Sequence, residues 1–173
     1  MKKALIDSSS AIIIFKSGLF DKLVHLYEIF MSESVYDELT NPGYAGADEF
    51  INYRSKKKIS VVLNKSSDFA IKFDDDELFR LDRGERDTLF EFFNGTADFI
   101  IIDDGKGAEY CRDNKIPYIS ALLVPRILQV SNIISEDLCR NKTEMIIFIG
   151  RYSKKIIESA QNFSLNRLKM FYQ

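Results

Sequence analysis

Short apolar runs alternate with segments of helical periodicity through most of the chain. The run Phe99 to Ile102 is apolar on both faces, as expected of a strand buried inside a parallel sheet. Segments such as Leu19 to Tyr27 instead carry apolar residues at helical spacing. This alternation predicts an α/β fold in which helices flank a mostly parallel central sheet.

The same patterns place the other elements. The predicted strands are Lys3 to Asp7, Glu28 to Met31, Ile59 to Leu63, Asp98 to Ile102 and Pro117 to Ile119. The predicted helices after Leu19–Tyr27 are Val35–Leu39, Ala47–Lys57, Gly84–Phe93, Gly105–Asn114 and Leu122–Val130. An earlier helix includes Ala11 to Phe15, and Ser8, Ser9 or Ser10 is expected to cap it. Residues 64–82 show no clear pattern.

The C-terminal part is predicted to be purely helical. Two helices are expected, over Ser135–Ile149 and Ser153–Asn162, with Gly150 ending the first and Ser153 capping the second. We therefore predict a domain over residues 1–130 and a C-terminal helical extension over residues 131–173. One apolar stripe of this extension is expected to pack on the same domain rather than on a partner: Ile149, Tyr152, Ile156, Ala160 and Phe163.

Composition narrows the class of protein. A length of 173 residues with 46% apolar residues suits one folded domain. No apolar run approaches the roughly 20 residues that span a bilayer, and the N-terminus has the pattern of a strand, so we expect a cytoplasmic protein. With one histidine and no CxxC motif, Cys111 and Cys139 are expected to be buried free thiols rather than zinc ligands.

Acidic residues follow two of the predicted strands. Asp7 ends the first strand, and the pair Asp103-Asp104 ends the Phe99–Ile102 run. Side chains at the carboxyl ends of parallel strands face the crevice where α/β sheets bind ligands. Carboxylates that converge there repel one another unless a cation joins them, and Mg²⁺ and Mn²⁺ prefer such oxygen ligands. A structural role for Asp7, as a helix N-cap, is the alternative.

The sequence distinguishes less clearly which of the other acidic residues would bind a metal ion. Glu85 and Asp87 would project about 200° apart on a helix, so both cannot face one site unless Glu85 precedes the first turn. We favour Asp87 as the inner ligand. Glu85 would then support the site or interact with the helix dipole. The turn after the strand can present either Asp103 or Asp104, and Asp104 is slightly favoured. The run from Asp74 to Glu77 is expected to be a solvated loop.

Four ordered pieces together resemble the PIN-domain nucleases, most closely the VapC-type toxin ribonucleases. These pieces are Leu5-Ile6-Asp7-Ser8-Ser9, Val35-Tyr36-Asp37-Glu38, Gly84-Glu85-Arg86-Asp87 and Ile101-Ile102-Asp103-Asp104, followed by Ile116 to Ser120. The resemblance runs from Lys3 to about Val130. Thr88 to Glu91 depart from the small residues usual in the family after the third acid.

The resemblance implies a PIN-like three-layer α/β/α fold and a site that binds Mg²⁺ or Mn²⁺. It implies catalytic and metal-binding roles for Asp7, Glu38, Asp87 and Asp104, with Asp103 as the alternate ligand. Ser9 and Ser120 resemble supporting hydroxyl residues. It further implies an RNA substrate and, for a toxin, an antitoxin protein that covers the groove. A single strand of RNA would suit a crevice that brings a backbone phosphate to the metal. Homodimers are common among relatives.

Basic residues supply candidate contacts to RNA phosphates. They are Lys56, Lys57 and Lys58 in the one dense basic run, together with Arg86 and Lys106. The dense run equally suits a solvated helix end. The leading prediction is a metal-dependent endoribonuclease, and the resemblance extends it to the toxin of a toxin–antitoxin pair. Its alternatives are a PIN-like module that binds RNA or protein without cleavage, and a phosphate-handling α/β enzyme or receiver domain.

Overall fold

A parallel β-sheet forms the centre of the protein. The computed structural model describes residues 1–44, 46–63, 76–103 and 105–173. Over these ranges the sheet has five strands in the order β3-β2-β1-β4-β5, and every neighbouring pair is parallel. The strands are β1 (Lys2–Ile6), β2 (Tyr27–Ser32), β3 (Ile59–Val62), β4 (Phe99–Ile101) and β5 (Tyr118–Ile119).

Helices connect the strands and form the C-terminal part. In the described residues they are α1 (Ser8–Lys16), α2 (Phe20–Leu26), α3 (Glu33–Leu39), α4 (Ala47–Ser55), α5 (Asp76–Phe79), α6 (Arg83–Phe93), α7 (Lys106–Asp113), α8 (Val124–Val130), α9 (Glu136–Gly150), α10 (Lys154–Gln161) and α11 (Leu165–Tyr172). A 3-10 helix, Ala121–Leu123, precedes α8. Among them, none is long and apolar enough to cross a membrane.

Successive residues of the central strands point to two separate cores. In β1, Ala4 and Ile6 join one apolar cluster, whereas Leu5 joins the other. The Leu5 cluster includes residues of α6 and α7, and the Ala4 cluster includes residues of α1, α2 and α8. Since neighbouring side chains of a strand face opposite sides of the sheet, helices cover both faces. The predicted three-layer α/β/α fold is confirmed.

The C-terminal helices pack on the same core as the sheet. Ile146 of α9 and Leu168 of α11 are fully buried in the Ala4 cluster, and the Phe171 ring lies 5.2 Å from that of Phe99 in β4. The structure has a third C-terminal helix, α11, which the sequence analysis did not predict. The division at residue 130 stays a prediction.

Three local predictions are corrected by the structure. Asp7, not one of the following serines, is the N-cap of α1. Asp76 and Glu77 begin the short helix α5 instead of lying in a loop, while Asp74 and Asp75 fall outside the described residues. Gly150 is the last residue of α9, and the left-handed position that ends this helix belongs to Arg151, with φ of 51°.

Candidate active site

Asp7 and Asp103 follow adjacent strands at the carboxyl edge of the sheet. Ile6 pairs with Ile101, and the Asp7 N–H extends that ladder by donating to the Ile101 carbonyl over 3.1 Å. Asp7 therefore lies one residue beyond β1, and Asp103 two residues beyond β4. Both side chains are buried. The fold thus brings these two predicted site residues together at the carboxyl ends of adjacent strands, the position that the sequence analysis gave them.

The Asp7 carboxylate is held by local hydrogen bonds yet remains hard to ionise. Oδ1 accepts the Ser10 N–H at 2.9 Å, and Oδ2 accepts the Ser9 hydroxyl at 2.6 Å. Burial, followed by the negative charge of Asp103, raises the pKa of Asp7 to about 6 against these hydrogen bonds. Asp7 is therefore both a helix cap and a carboxylate whose charge is disfavoured unless a cation joins it.

Asp103 is held by two donors from separate parts of the chain. Its Oδ1 accepts the Ala121 N–H at 3.1 Å and also the Tyr152 hydroxyl. Ala121 opens the 3-10 helix directly after Ser120, so the predicted supporting serine lies next to a backbone contact of the site. Tyr152, between α9 and α10, is a site residue that the sequence analysis missed.

Glu85 is a further carboxylate that interacts electrostatically with Asp7. It belongs to the first turn of α6, and its Oε1 accepts the Gly107 N–H from the start of α7 at 3.1 Å. Burial raises the pKa of Glu85, the Gly107 N–H lowers it, and the charges of Asp82 and Asp7 raise it. Glu85, placed as a supporting residue by the sequence analysis, is thus within electrostatic reach of Asp7.

The remaining predicted acidic residues occupy different environments. Asp87 is buried on α6, and its Oδ2 lies 3.7 Å from Nε of Arg83. Glu38 is exposed on α3, and its Oε2 would be 3.8 Å from a Cβ atom placed on Gly84 in the first turn of α6. Asp104, which the sequence analysis slightly favoured over Asp103, lies outside the described residues.

The basic residues fall into two groups. Lys106 is exposed at the first position of α7, beside the glycine that contacts Glu85, and Arg86 is half-buried on α6. In contrast, the dense basic run immediately precedes β3, at the amino ends of the parallel strands. It contains Lys56, Lys57 and Lys58. Lys58 also forms a 2.9 Å ion pair with Asp21. The structure therefore places only the first group beside the acidic residues.

The chemistry of this donor set fits a hard divalent cation. Asp7 and Asp103 supply carboxylate oxygens whose mutual repulsion a cation would offset. Among the described residues, no group of three or more acidic, histidine or cysteine side chains is close enough to hold an ion. Asp7 and Asp103 are therefore the candidate ligands, with Glu85 as a further carboxylate that the negative charge of Asp7 influences.

Comparison with known families agrees with this architecture. A family model described as DUF3368: PIN domain matches residues 3–162, which include Asp7, Glu85, Asp103 and Tyr152. No curated protein and no solved structure gives a significant match. The resemblance to PIN domains noted in the sequence is confirmed by this match. The chain therefore belongs to the PIN-domain family.

Proposed function

We propose that this protein is a divalent-metal-dependent endoribonuclease that hydrolyses RNA phosphodiester bonds. PIN domains are generally metal-dependent nucleases, so the family supports a nuclease fold and this type of chemistry. The single observation that carries the proposal is the burial of Asp7 and Asp103 at the ends of adjacent strands, where the charge of Asp103 adds to burial in disfavouring ionisation of Asp7. A folded protein keeps such a pair at a cost in stability that ion binding would remove.

In this proposal Asp7 and Asp103 hold Mg²⁺ or Mn²⁺, and Glu38, Glu85 and Asp87 add negative charge around them. The ion would polarise the phosphoryl oxygen and lower the pKa of a bound water. The protein's own groups orient the ligands: the Ser9 hydroxyl and the Ser10 N–H restrain Asp7.

An exposed basic residue near the acidic side chains suits an anionic substrate chain. Lys106 is exposed at the beginning of α7 and would attract the phosphate backbone. We propose single-stranded RNA as the substrate, on the resemblance to ribonucleases and because a flexible strand can bring its backbone to buried ligands.

The same resemblance supports a finer biological role. As a VapC-type protein, the chain would act as the toxin of a pair, and an antitoxin would cover the crevice. The proposal also includes a homodimer of this chain, because dimers are common among the proteins it resembles. Both partners are testable by purifying the protein with the product of the neighbouring gene and measuring the mass of the complex in solution.

The cleavage experiment compares three proteins on a mixture of labelled single-stranded RNAs. Wild type should cleave with Mn²⁺ or Mg²⁺ and stop when EDTA is added. Asp7→Asn should lose at least about 100-fold in rate, since it removes a buried ligand charge. Asp48→Asn changes the net charge equally at an exposed position of α4 and should cleave like wild type.

Two results would count against the proposal. Full activity in Asp7→Asn would remove Asp7 from the site. RNA binding by wild type without metal-dependent cleavage of any substrate would support the alternative, a PIN-like module that binds RNA or protein without cutting.

A further inference from the structure

We propose that Tyr152 is a positioning residue of the metal site, and that the C-terminal helices belong to this site because they carry it. The Tyr152 hydroxyl donates to Oδ1 of Asp103 and would hold that carboxylate in the orientation that binds the ion. This inference rests on the proposed function.

Two independent donors converge on the same oxygen of Asp103. The Ala121 N–H is fixed by the backbone after β5, and the Tyr152 hydroxyl arrives from a segment 49 residues away in sequence. A carboxylate with one oxygen held by two donors cannot rotate about its Cβ–Cγ bond without breaking both hydrogen bonds. Partners of this kind orient metal ligands and affect metal affinity although they do not touch the ion.

The turn between α9 and α10 is built to place this tyrosine. Arg151 adopts the left-handed conformation and its N–H bonds to the Ile147 carbonyl at 3.1 Å, which reverses the chain immediately before Tyr152. The aromatic ring then lies against Gly150: a Cβ atom there would be 2.3 Å from Cε2 and 2.8 Å from Cζ of Tyr152. Only glycine at position 150 leaves space for the ring in this position.

The same segment is anchored to the protein on both sides of the tyrosine. Ile147, Tyr152 and Ile156 pack against the larger apolar core. Arg126 of α8 donates to the Phe163 carbonyl at 2.6 Å, which ties the end of α10 to the body of the domain. The hydroxyl therefore approaches Asp103 from a fixed support, as required of a group that orients a ligand.

The direct test measures Mn²⁺ affinity by calorimetry, without substrate. Tyr152→Phe removes only the hydroxyl and should weaken Mn²⁺ binding by about tenfold. Tyr27→Phe is the matched control. The buried Tyr27 hydroxyl belongs to the first residue of β2, at the amino ends of the strands, and has no hydrogen-bond partner among the described residues. This variant should therefore bind Mn²⁺ with the affinity of wild type. Circular dichroism and unfolding in EDTA verify that each variant is folded.

A second variant separates the position of the ring from the presence of the hydroxyl. Gly150→Ala keeps the tyrosine but forces its ring away, so it should also weaken Mn²⁺ binding. The double variant Gly150→Ala/Tyr152→Phe should bind Mn²⁺ no more weakly than whichever single variant binds it less tightly, because both substitutions remove the same contact. Fully additive losses would contradict the inference.

The outcomes distinguish this inference from the proposed function. If wild type binds Mn²⁺ and Tyr152→Phe binds it equally or more tightly, Tyr152 does not position the ligand and the inference fails alone. If wild type binds no Mn²⁺ under any condition, the proposed function fails and takes the inference with it.

Discussion

Replacing Asp7 by asparagine should stabilise the protein when no metal is present. The pKa of Asp7 is raised to about 6 in the folded state, from an ordinary value of 3.8. Above pH 6 the folded protein therefore keeps a buried negative charge that the unfolded chain exposes to water. Asparagine occupies nearly the same space without that charge, so it removes the penalty at neutral and alkaline pH.

The magnitude follows from the pKa difference. About two pH units correspond to roughly 3 kcal/mol of unfolding free energy. This pKa difference already includes the hydrogen bonds from Ser9 and Ser10, which lower the pKa of Asp7, and asparagine can still accept the Ser10 N–H. The expected gain is therefore about 3 kcal/mol at pH 8.

The sign of the pH dependence is the sharper test. Folding raises the pKa of Asp7, so the folded state binds the Asp7 proton more tightly than the unfolded chain does. The resulting gain in unfolding free energy is fully present below pH 3.8 and is lost as pH rises through about 6. The difference between wild type and Asp7→Asn should therefore be large at pH 8 and small near pH 4, where Asp7 of the folded protein is already neutral.

Urea unfolding in EDTA at these two pH values measures the difference directly. Asp48→Asn, which removes an exposed charge from the first turn of α4, should gain no stability at either pH. If Asp7→Asn is less stable than wild type at pH 8, Asp7 acts mainly as a helix cap and the electrostatic reasoning is refuted.

Two further predictions concern packing. Leu168→Ala should cost about 2–5 kcal/mol in unfolding free energy, since this fully buried residue joins α11 to the sheet core, whereas the 61% exposed Met170 should tolerate alanine within about 0.5 kcal/mol. If the C-terminal extension were a separate, weakly docked unit, Leu168→Ala would instead destabilise only a distinct unfolding transition of that unit. Gly107→Ala should lower stability by about 1–3 kcal/mol, because its Cβ would be 2.5 Å from Cδ1 of Ile102. An unchanged urea midpoint would show that this contact relaxes freely.

The sheet was predictable because its strands have the simplest pattern. The run Phe99 to Ile102 is uniformly apolar, and β4 occupies Phe99–Ile101 within it. Asp7 and the pair Asp103-Asp104 were predicted as site residues for the same reason, since a charge directly after such a run marks a strand end. Helix limits were less accurate, because capping depends on which side chain reaches the free N–H groups: Asp7 rather than a serine caps α1.

The position of Tyr152 could not be deduced from periodicity. In the sequence it belongs to an apolar stripe with Ile149 and Ile156, which predicts packing but not a hydrogen bond. Its contact with Asp103 depends on the left-handed Arg151 and on the close approach of the ring to Gly150. Similarly, spacing could not show that Glu85 reaches the start of α7, because that contact arises only when two helices meet.

The central claim is that Asp7 belongs to a divalent-metal site, and thermal unfolding with and without millimolar Mn²⁺ tests it most directly. Binding to the folded state should raise the melting temperature of wild type, and the rise should shrink strongly in Asp7→Asn. An equal rise in both proteins would place the ion elsewhere. No rise in either would contradict the account and leave Asp7 as a helix cap.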